Sequence, residues 1–159
     1  MNSAHWHLLL NHLPVLGIPF GLGLLLASLR RQTPTLQRAG LTVMILAGAV
    51  AALVYLTGEP AEEALEQLAI RPTAAIERHE DAAAIALVLA GSLGVLAAGA
   101  LWRARRAPLG RGPVFVLLML GAGVSGTLAW VANLGGQIRH TEIRDVSARP
   151  AAETFEHER

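Results

Sequence analysis

The sequence contains no cysteine and no lysine, and only 16% of its 159 residues are charged. The absence of cysteine excludes disulfide bonds, thiolate metal sites, covalently attached c-type haem and cysteine nucleophiles. The low charge is far from the roughly one quarter of charged residues that is usual for a soluble domain. The chain also lacks a phosphate-binding loop and a catalytic triad. These absences favour a protein that is not an enzyme, and we expect no nucleic-acid partner.

Hydrophobic residues make up 53% of the chain and are gathered into four runs. The runs cover about residues 6–29, 39–57, 82–102 and 113–135, and each is close to the ~20 residues that cross a hydrocarbon core as a helix. We therefore predict an all-α fold, an integral membrane four-helix bundle formed by a single domain over residues 1–145. A flexible polar tail should follow at 146–159. The loop at 58–81 should hold a short interfacial helix that begins near Pro60.

The charges are distributed unevenly along the chain. All 12 acidic residues lie in the 58–81 loop or after the fourth run, and the histidines lie there or at the N-terminus. The connections after the first and third runs contain only basic residues, which are Arg30, Arg31, Arg38, Arg103, Arg105, Arg106 and Arg111. Because positively charged loops stay in the cytoplasm, both termini and the 58–81 loop are predicted on the outer (periplasmic) side of a bacterial cytoplasmic membrane.

Three histidines stand at the start of the first run, in the stretch HWHLLLNHLP at residues 5–14. On a helix, His5 and His12 lie two turns apart on nearly one face, whereas His7 is rotated by about 200° from His5. A helix therefore does not aim all three side chains at one atom. Histidine is costly in a membrane unless a ligand, a partner or water satisfies it. His12 is the deepest of the three, and we rank it first as a ligand.

His79 and His140 are expected to reach the same end of the bundle from two other helices. Each lies above a helix face of small residues, which either lets another helix come close or leaves room for a flat ligand. The small residues are Ala83, Ala86, Ala90 and Gly94 below His79, and Gly136, Asn133, Ala129 and Gly126 below His140.

Two cofactor chemistries fit these histidines, and a third interpretation needs no cofactor. A b-type haem requires two neutral imidazoles on facing helices, and polar partners such as Arg139 for its propionates. The expected ligand pair is His12 with either His140 or His79, and His5 and His7 are further candidates for the cofactor site. A copper, zinc or iron ion would use the ligands His12, His79, His140, Glu59 and Glu80. Alternatively, the histidines and acids form a satisfied polar network on an accessory subunit of a larger membrane complex.

The segments HxHLLLNHLP, LTGEPAEE, ERHEDAA and NLGGQIRHTEIR resemble a widespread family of small bacterial four-helix membrane proteins of unknown function. That family is similar in turn to membrane proteins predicted to bind haem as b-type cytochromes do. The resemblance extends from His5 to about Arg144. It implies motif positions at His5, His7, His12, Glu59, Glu62, His79, Glu80, Gly135, Gly136 and His140.

This resemblance implies a b-type haem protein that contacts membrane lipid and serves electron transfer, or that is a subunit of a respiratory or photosynthetic membrane complex. One departure from b-type cytochromes is that the histidines crowd one side of the membrane. Two haems stacked across the bilayer are therefore not expected.

Overall fold

The computed structural model describes residues 3–60 and 74–139, and this part of the chain is helical apart from short connections and contains no strand. The helices are α1 (Ser3–Leu10), α2 (His12–Arg31), α3 (Pro34–Leu56), α4 (Ala74–Ala104) and α5 (Arg111–Arg139). The all-α prediction is confirmed. Residues 58–60 are helical, but the rest of the predicted interfacial helix and the tail at 146–159 lie outside the described residues.

Four helical segments are long and apolar enough to cross a membrane, as the hydropathy of the sequence predicts. They are His5–Arg31, Pro34–Leu56, Ala74–Ala104 and Arg111–Ile138. These segments are those of a multi-pass membrane protein. Helix α4 begins at Ala74, about two turns before the apolar run at residue 82. The helix continues through Glu77, Arg78 and Glu80 because these exposed side chains extend into solvent without interrupting backbone hydrogen bonds.

The first spanning segment consists of two helices because of Pro14. Proline has no backbone N–H, so the carbonyl of Leu10 has no donor at the position four residues later. The regular helix is interrupted at Asn11, between α1 and α2. Its backbone angles, φ −61° and ψ −25°, remain close to those of a helix. The Asn11 N–H also donates to the His7 carbonyl at 3.0 Å. The chain therefore passes from α1 to α2 with little change of backbone conformation.

The four long helices pack in the order in which they occur along the chain. Helix α3 packs against α2 and α4, and α5 packs against α4 and also against α2, which closes the ring. The largest fully buried side chains are Ile18, Leu25, Leu41, Met44, Leu93 and Val114. Many other large apolar side chains face outward, among them Leu16, Phe20, Leu46, Val95 and Phe115. An apolar outer surface of this extent is typical of a protein whose surroundings are lipid.

Glycine allows α3 and α4 to approach closely in the middle of the bundle. A Cβ atom at Gly48 would lie 2.8 Å from the Ala90 carbonyl oxygen and 3.2 Å from the Gly94 Cα. Any larger side chain at Gly48 would therefore push the two backbones apart. This is the use of small residues that membrane helix packing favours.

Two polar side chains fasten the connection between α4 and α5 to the start of α3. The buried Gln37 amide donates to the Leu109 carbonyl at 3.1 Å and accepts from the Leu109 N–H at 2.8 Å. The Arg38 Nε–H donates to the carbonyl of Ala104, the last residue of α4, at 3.2 Å. The connection thus has its backbone groups satisfied by side chains of a neighbouring helix.

Candidate functional site

The candidate site lies where α1 and α4 begin and where α3 and α5 end. We call this part of the bundle, which holds His7, Val54, His79 and Val131, the histidine end. The opposite end holds all seven arginines of the two basic connections, and we call it the arginine end. The candidate site is assembled from four helices, and in each case the side chain comes from one helix and its hydrogen-bond acceptor from another.

His7 is the histidine of α1 that faces into the bundle. Its side chain is half-buried, whereas those of His5 and His12 are exposed. The His7 Nδ1 lies 3.1 Å from the carbonyl oxygen of Val54, in the last turn of α3, and 3.1 Å from the hydroxyl oxygen of Thr57, the residue that follows α3. The Thr57 hydroxyl donates to the same Val54 carbonyl at 2.7 Å. Helix α3 therefore fixes the orientation of the His7 ring.

His79 is held in the same manner by α5. It is half-buried, and its Nδ1 lies 3.1 Å from the Val131 carbonyl oxygen. A Cβ atom at Gly135, one turn further along α5, would lie 3.1 Å from the Cε1 atom of His79. Because Gly135 has no side chain, the imidazole of His79 fits against the backbone of α5.

The acceptors determine which tautomer each ring adopts. A carbonyl oxygen only accepts hydrogen bonds, so the Nδ1 atoms of His7 and His79 both carry the proton. In the neutral ring the lone pair is then on Nε2. A backbone carbonyl on Nδ1–H is the usual support for a histidine that binds a metal through Nε2.

The other predicted ligands within the described residues lie on the outer surface. His12 Nδ1–H donates to the carbonyl of Leu8, one turn earlier in the same spanning segment, at 2.9 Å, and the side chain is exposed. His5 is exposed as well, and so are Glu59 and Glu80. His140 and the side chain of Arg139 lie outside the described residues. The ranking of His12 as first ligand stays a prediction, and the two inward-facing histidines within the described residues are His7 and His79.

The small-residue face below His79 is used for helix packing. Ala90 and Gly94 meet the backbone of α3 at Gly48, which leaves no slot for a flat ligand at that depth. The corresponding face of α5 is different, because Gly126, Ala129 and Asn133 are exposed and nothing lies within 4 Å of a Cβ atom placed at Gly126. Any ligand of the His7–His79 pair therefore lies at the histidine end and not deep in the bundle.

Within residues 3–60 and 74–139, no group of three or more histidine and carboxylate side chains is arranged to hold a metal ion. The site in this part of the chain is a pair of imidazoles. Comparison of the chain with protein-family models, with curated proteins and with solved structures gives no match.

The sequence reasoning missed the acceptors of the two imidazoles. Val54 and Val131 act through their backbone carbonyls, and no side-chain pattern reveals that role. The role of Thr57 could have been predicted from the sequence. Its hydroxyl group stands at the end of the second apolar run, at the depth where the histidines are expected.

Proposed function

We propose that the chain is a b-type haem-binding membrane protein in which His7 and His79 would hold the haem iron. The observation that carries the proposal is the matched pair of imidazoles, each with its Nδ1–H on the carbonyl of another helix and its Nε2 lone pair available. Electron transfer, alone or as a subunit of a membrane redox complex, is the function that such a site serves.

The donor set fits haem better than it fits a bare metal ion. Haem iron takes four nitrogens from the porphyrin and needs only two from the protein, and a pair of neutral imidazoles supplies both. Zinc sites use at least three protein ligands. A copper, zinc or iron site would thus require a further ligand from outside the described residues, such as His140.

Each residue of the pair would have a defined part in such a protein. His7 and His79 would bind the iron, while the carbonyls of Val54 and Val131 would orient the rings and raise their basicity as ligands. The haem, when bound, supplies a one-electron redox centre. Arg139, near the C-terminal end of α5, is the predicted partner of a propionate.

We further propose that the histidine end faces the periplasm and the arginine end the cytoplasm, with both termini outward. Seven arginines without an accompanying acid in the two connections support this orientation. A redox site at the histidine end would then exchange electrons with partners outside the cytoplasmic membrane.

The test is a reduced-minus-oxidised visible spectrum of membranes that contain the overexpressed protein, grown with sufficient haem. We expect a Soret band and α-band from the wild type and the loss of both in His7→Ala and His79→Ala. His12→Ala and His5→Ala are the matched controls, because these two histidines are exposed on the same helical segment, and both should retain the spectrum.

A wild-type protein without a Soret band would refute the haem proposal. Retention of the spectrum by His7→Ala together with its loss in His12→Ala would refute the choice of ligands. A cofactor-free accessory subunit is the second candidate function, because both imidazoles already have a hydrogen-bond partner through Nδ1. That function predicts no chromophore and a partner protein that co-purifies with the wild type.

A further inference from the structure

A groove of about 480 Å³ opens at the arginine end, between the last turn of α2 and the first turns of α5. It is lined by Leu29, Arg30, Arg111, Gly112 and Phe115. Leu29 is half-buried and the other four residues are exposed. The surface of the groove is mostly apolar, and each of the two helices contributes one arginine to its lining.

The charge around this groove is entirely positive. The two basic connections hold seven arginines and no acid, and the acids of the described residues are all at the histidine end. Two of the other arginines have partners of their own, because Arg38 donates to the Ala104 carbonyl and Arg106 lies 4.5 Å from the centre of the Trp102 ring. Arg30 and Arg111 are the two arginines that line the groove.

A lipid phosphate fits these features. Guanidinium groups bind phosphate through several N–H donors in one plane, and basic pockets between membrane helices bind the headgroups of acidic lipids. The phosphate of a phospholipid lies at the depth where a spanning helix ends. Its acyl chain continues towards the bilayer centre, which is the direction that leads along α5 from Arg111 to Phe115.

We propose that this groove binds one anionic phospholipid, whose phosphate contacts Arg30 and Arg111 and whose acyl chain lies against Leu29 and Phe115. An anionic headgroup is favoured over a zwitterionic one because the choline or ethanolamine cation would meet the remaining arginines of this end. Gly112 lines the same groove and has open space where its Cβ would be, which leaves room for a headgroup at this position.

The test measures lipid binding to the full-length protein in a neutral detergent by native mass spectrometry. Dioleoyl phosphatidylglycerol and dioleoyl phosphatidylcholine are titrated separately, and inorganic phosphate is added in a third series. We expect phosphatidylglycerol to bind at least about tenfold more tightly than phosphatidylcholine, since each arginine near a membrane surface contributes appreciably to anion binding. Inorganic phosphate should not displace the bound lipid, because it lacks the acyl chain.

Two pairs of variants separate the groove from the general positive charge. Arg30→Ala with Arg111→Ala should weaken phosphatidylglycerol binding by about 10- to 30-fold. Arg31→Ala with Arg105→Ala removes the same charge at exposed positions outside the groove and should weaken binding by less than about threefold. Gly112→Leu fills the groove without a change of charge and should also abolish the preference for phosphatidylglycerol. Gly123→Leu, at another open position of α5, should leave it intact.

Three results would overturn the proposal. The first is equal binding of the two lipids by the wild type. The second is an equal loss in the two double-arginine variants, which would mean that diffuse charge alone attracts the lipid. The third is displacement of phosphatidylglycerol by inorganic phosphate, which would make a free anion the occupant. Because Gly112→Leu carries no charge change, its result distinguishes a shaped groove from attraction by charge even if an arginine variant folds poorly.

Discussion

The two ends of the bundle satisfy their polar groups in different ways. At the arginine end, Gln37 uses both its donor and its acceptor on the backbone of Leu109. At the histidine end, His7 and His79 each donate from Nδ1 to a backbone carbonyl, and within residues 3–60 and 74–139 the Nε2 of the neutral ring keeps its lone pair. The first arrangement closes a connection. The second orients two side chains and leaves each with one coordinating atom.

This difference separates a structural use of polar residues from a functional one. A buried amide whose two groups are both paired has no capacity for a ligand, and its contribution is to stability. A paired imidazole with a remaining lone pair has both a fixed orientation and a binding atom, which is the arrangement that metal-binding histidines require. Among the described residues, the histidine end therefore has side chains suited to a ligand, while the Gln37 amide at the arginine end is taken up by the backbone.

The largest expected effect is an all-or-none difference in labelling between the two ends. The chain has no cysteine, so single cysteines report their positions without background. In spheroplasts, Glu77→Cys at the histidine end should react with a membrane-impermeant maleimide, and Ala107→Cys at the arginine end should react only after lysis. Both positions are exposed, which makes them matched. The reverse pattern would invert the proposed orientation.

The next effect is on stability at the arginine end. Gln37→Met keeps the length of the side chain but leaves the N–H and the carbonyl of Leu109 without their partner. We expect the free energy of unfolding to fall by about 3 kcal/mol, since each unsatisfied buried group costs on the order of 1–3 kcal/mol. The measurement is unfolding by dodecyl sulfate in mixed micelles. Thr35→Val, an exposed change at the same end, should alter it by less than about 0.5 kcal/mol.

The smallest effect on stability, with the clearest effect on the site, is expected at Gly135. A valine there would meet the His79 ring, whose Cε1 lies 3.1 Å from the added Cβ. We expect a loss of about 1–2 kcal/mol from overpacking, together with loss of the His79 hydrogen bond to Val131, visible in the imidazole nitrogen shifts. Gly123→Val, at an open position of the same helix, should change neither. Unchanged nitrogen shifts in Gly135→Val would show that α5 does not position the His79 ring.

Hydropathy predicts the spanning helices of this chain because an apolar run of sufficient length has few alternatives to a helix in lipid. The limits of the runs are less informative, as α4 shows. Its first two turns carry Glu77, Arg78, Glu80 and Asp81, which end the apolar run but not the helix. The break at Asn11 follows from Pro14, which has no backbone N–H. This effect is local and can be read from the sequence.

The direction in which each histidine faces is harder to predict. Periodicity separates His7 from His5 and His12, but the leucines around them are distributed all round the helix. Leu8, Leu9 and Leu13 are exposed, so the apolar pattern carries no information about which face is inward. In a water-soluble protein, a polar face would indicate which side of the helix points outward. In lipid, the packing of the helix against α3 determines which side points into the bundle. For this reason, the inward position of His7 required tertiary structure.

The hydrogen bonds of Gln37 also have a consequence for how the protein is made. Its partner Leu109 follows it by 72 residues, with the whole of α4 in between. While the ribosome is still synthesising α4, α3 already carries an amide that has no place to pair within the bundle. A nascent chain that stops before Leu109 lacks the backbone partner that this amide has in the folded protein, so this end of its bundle is less stable. Completion of translation through Leu109 is thus the event that allows this end of the protein to mature.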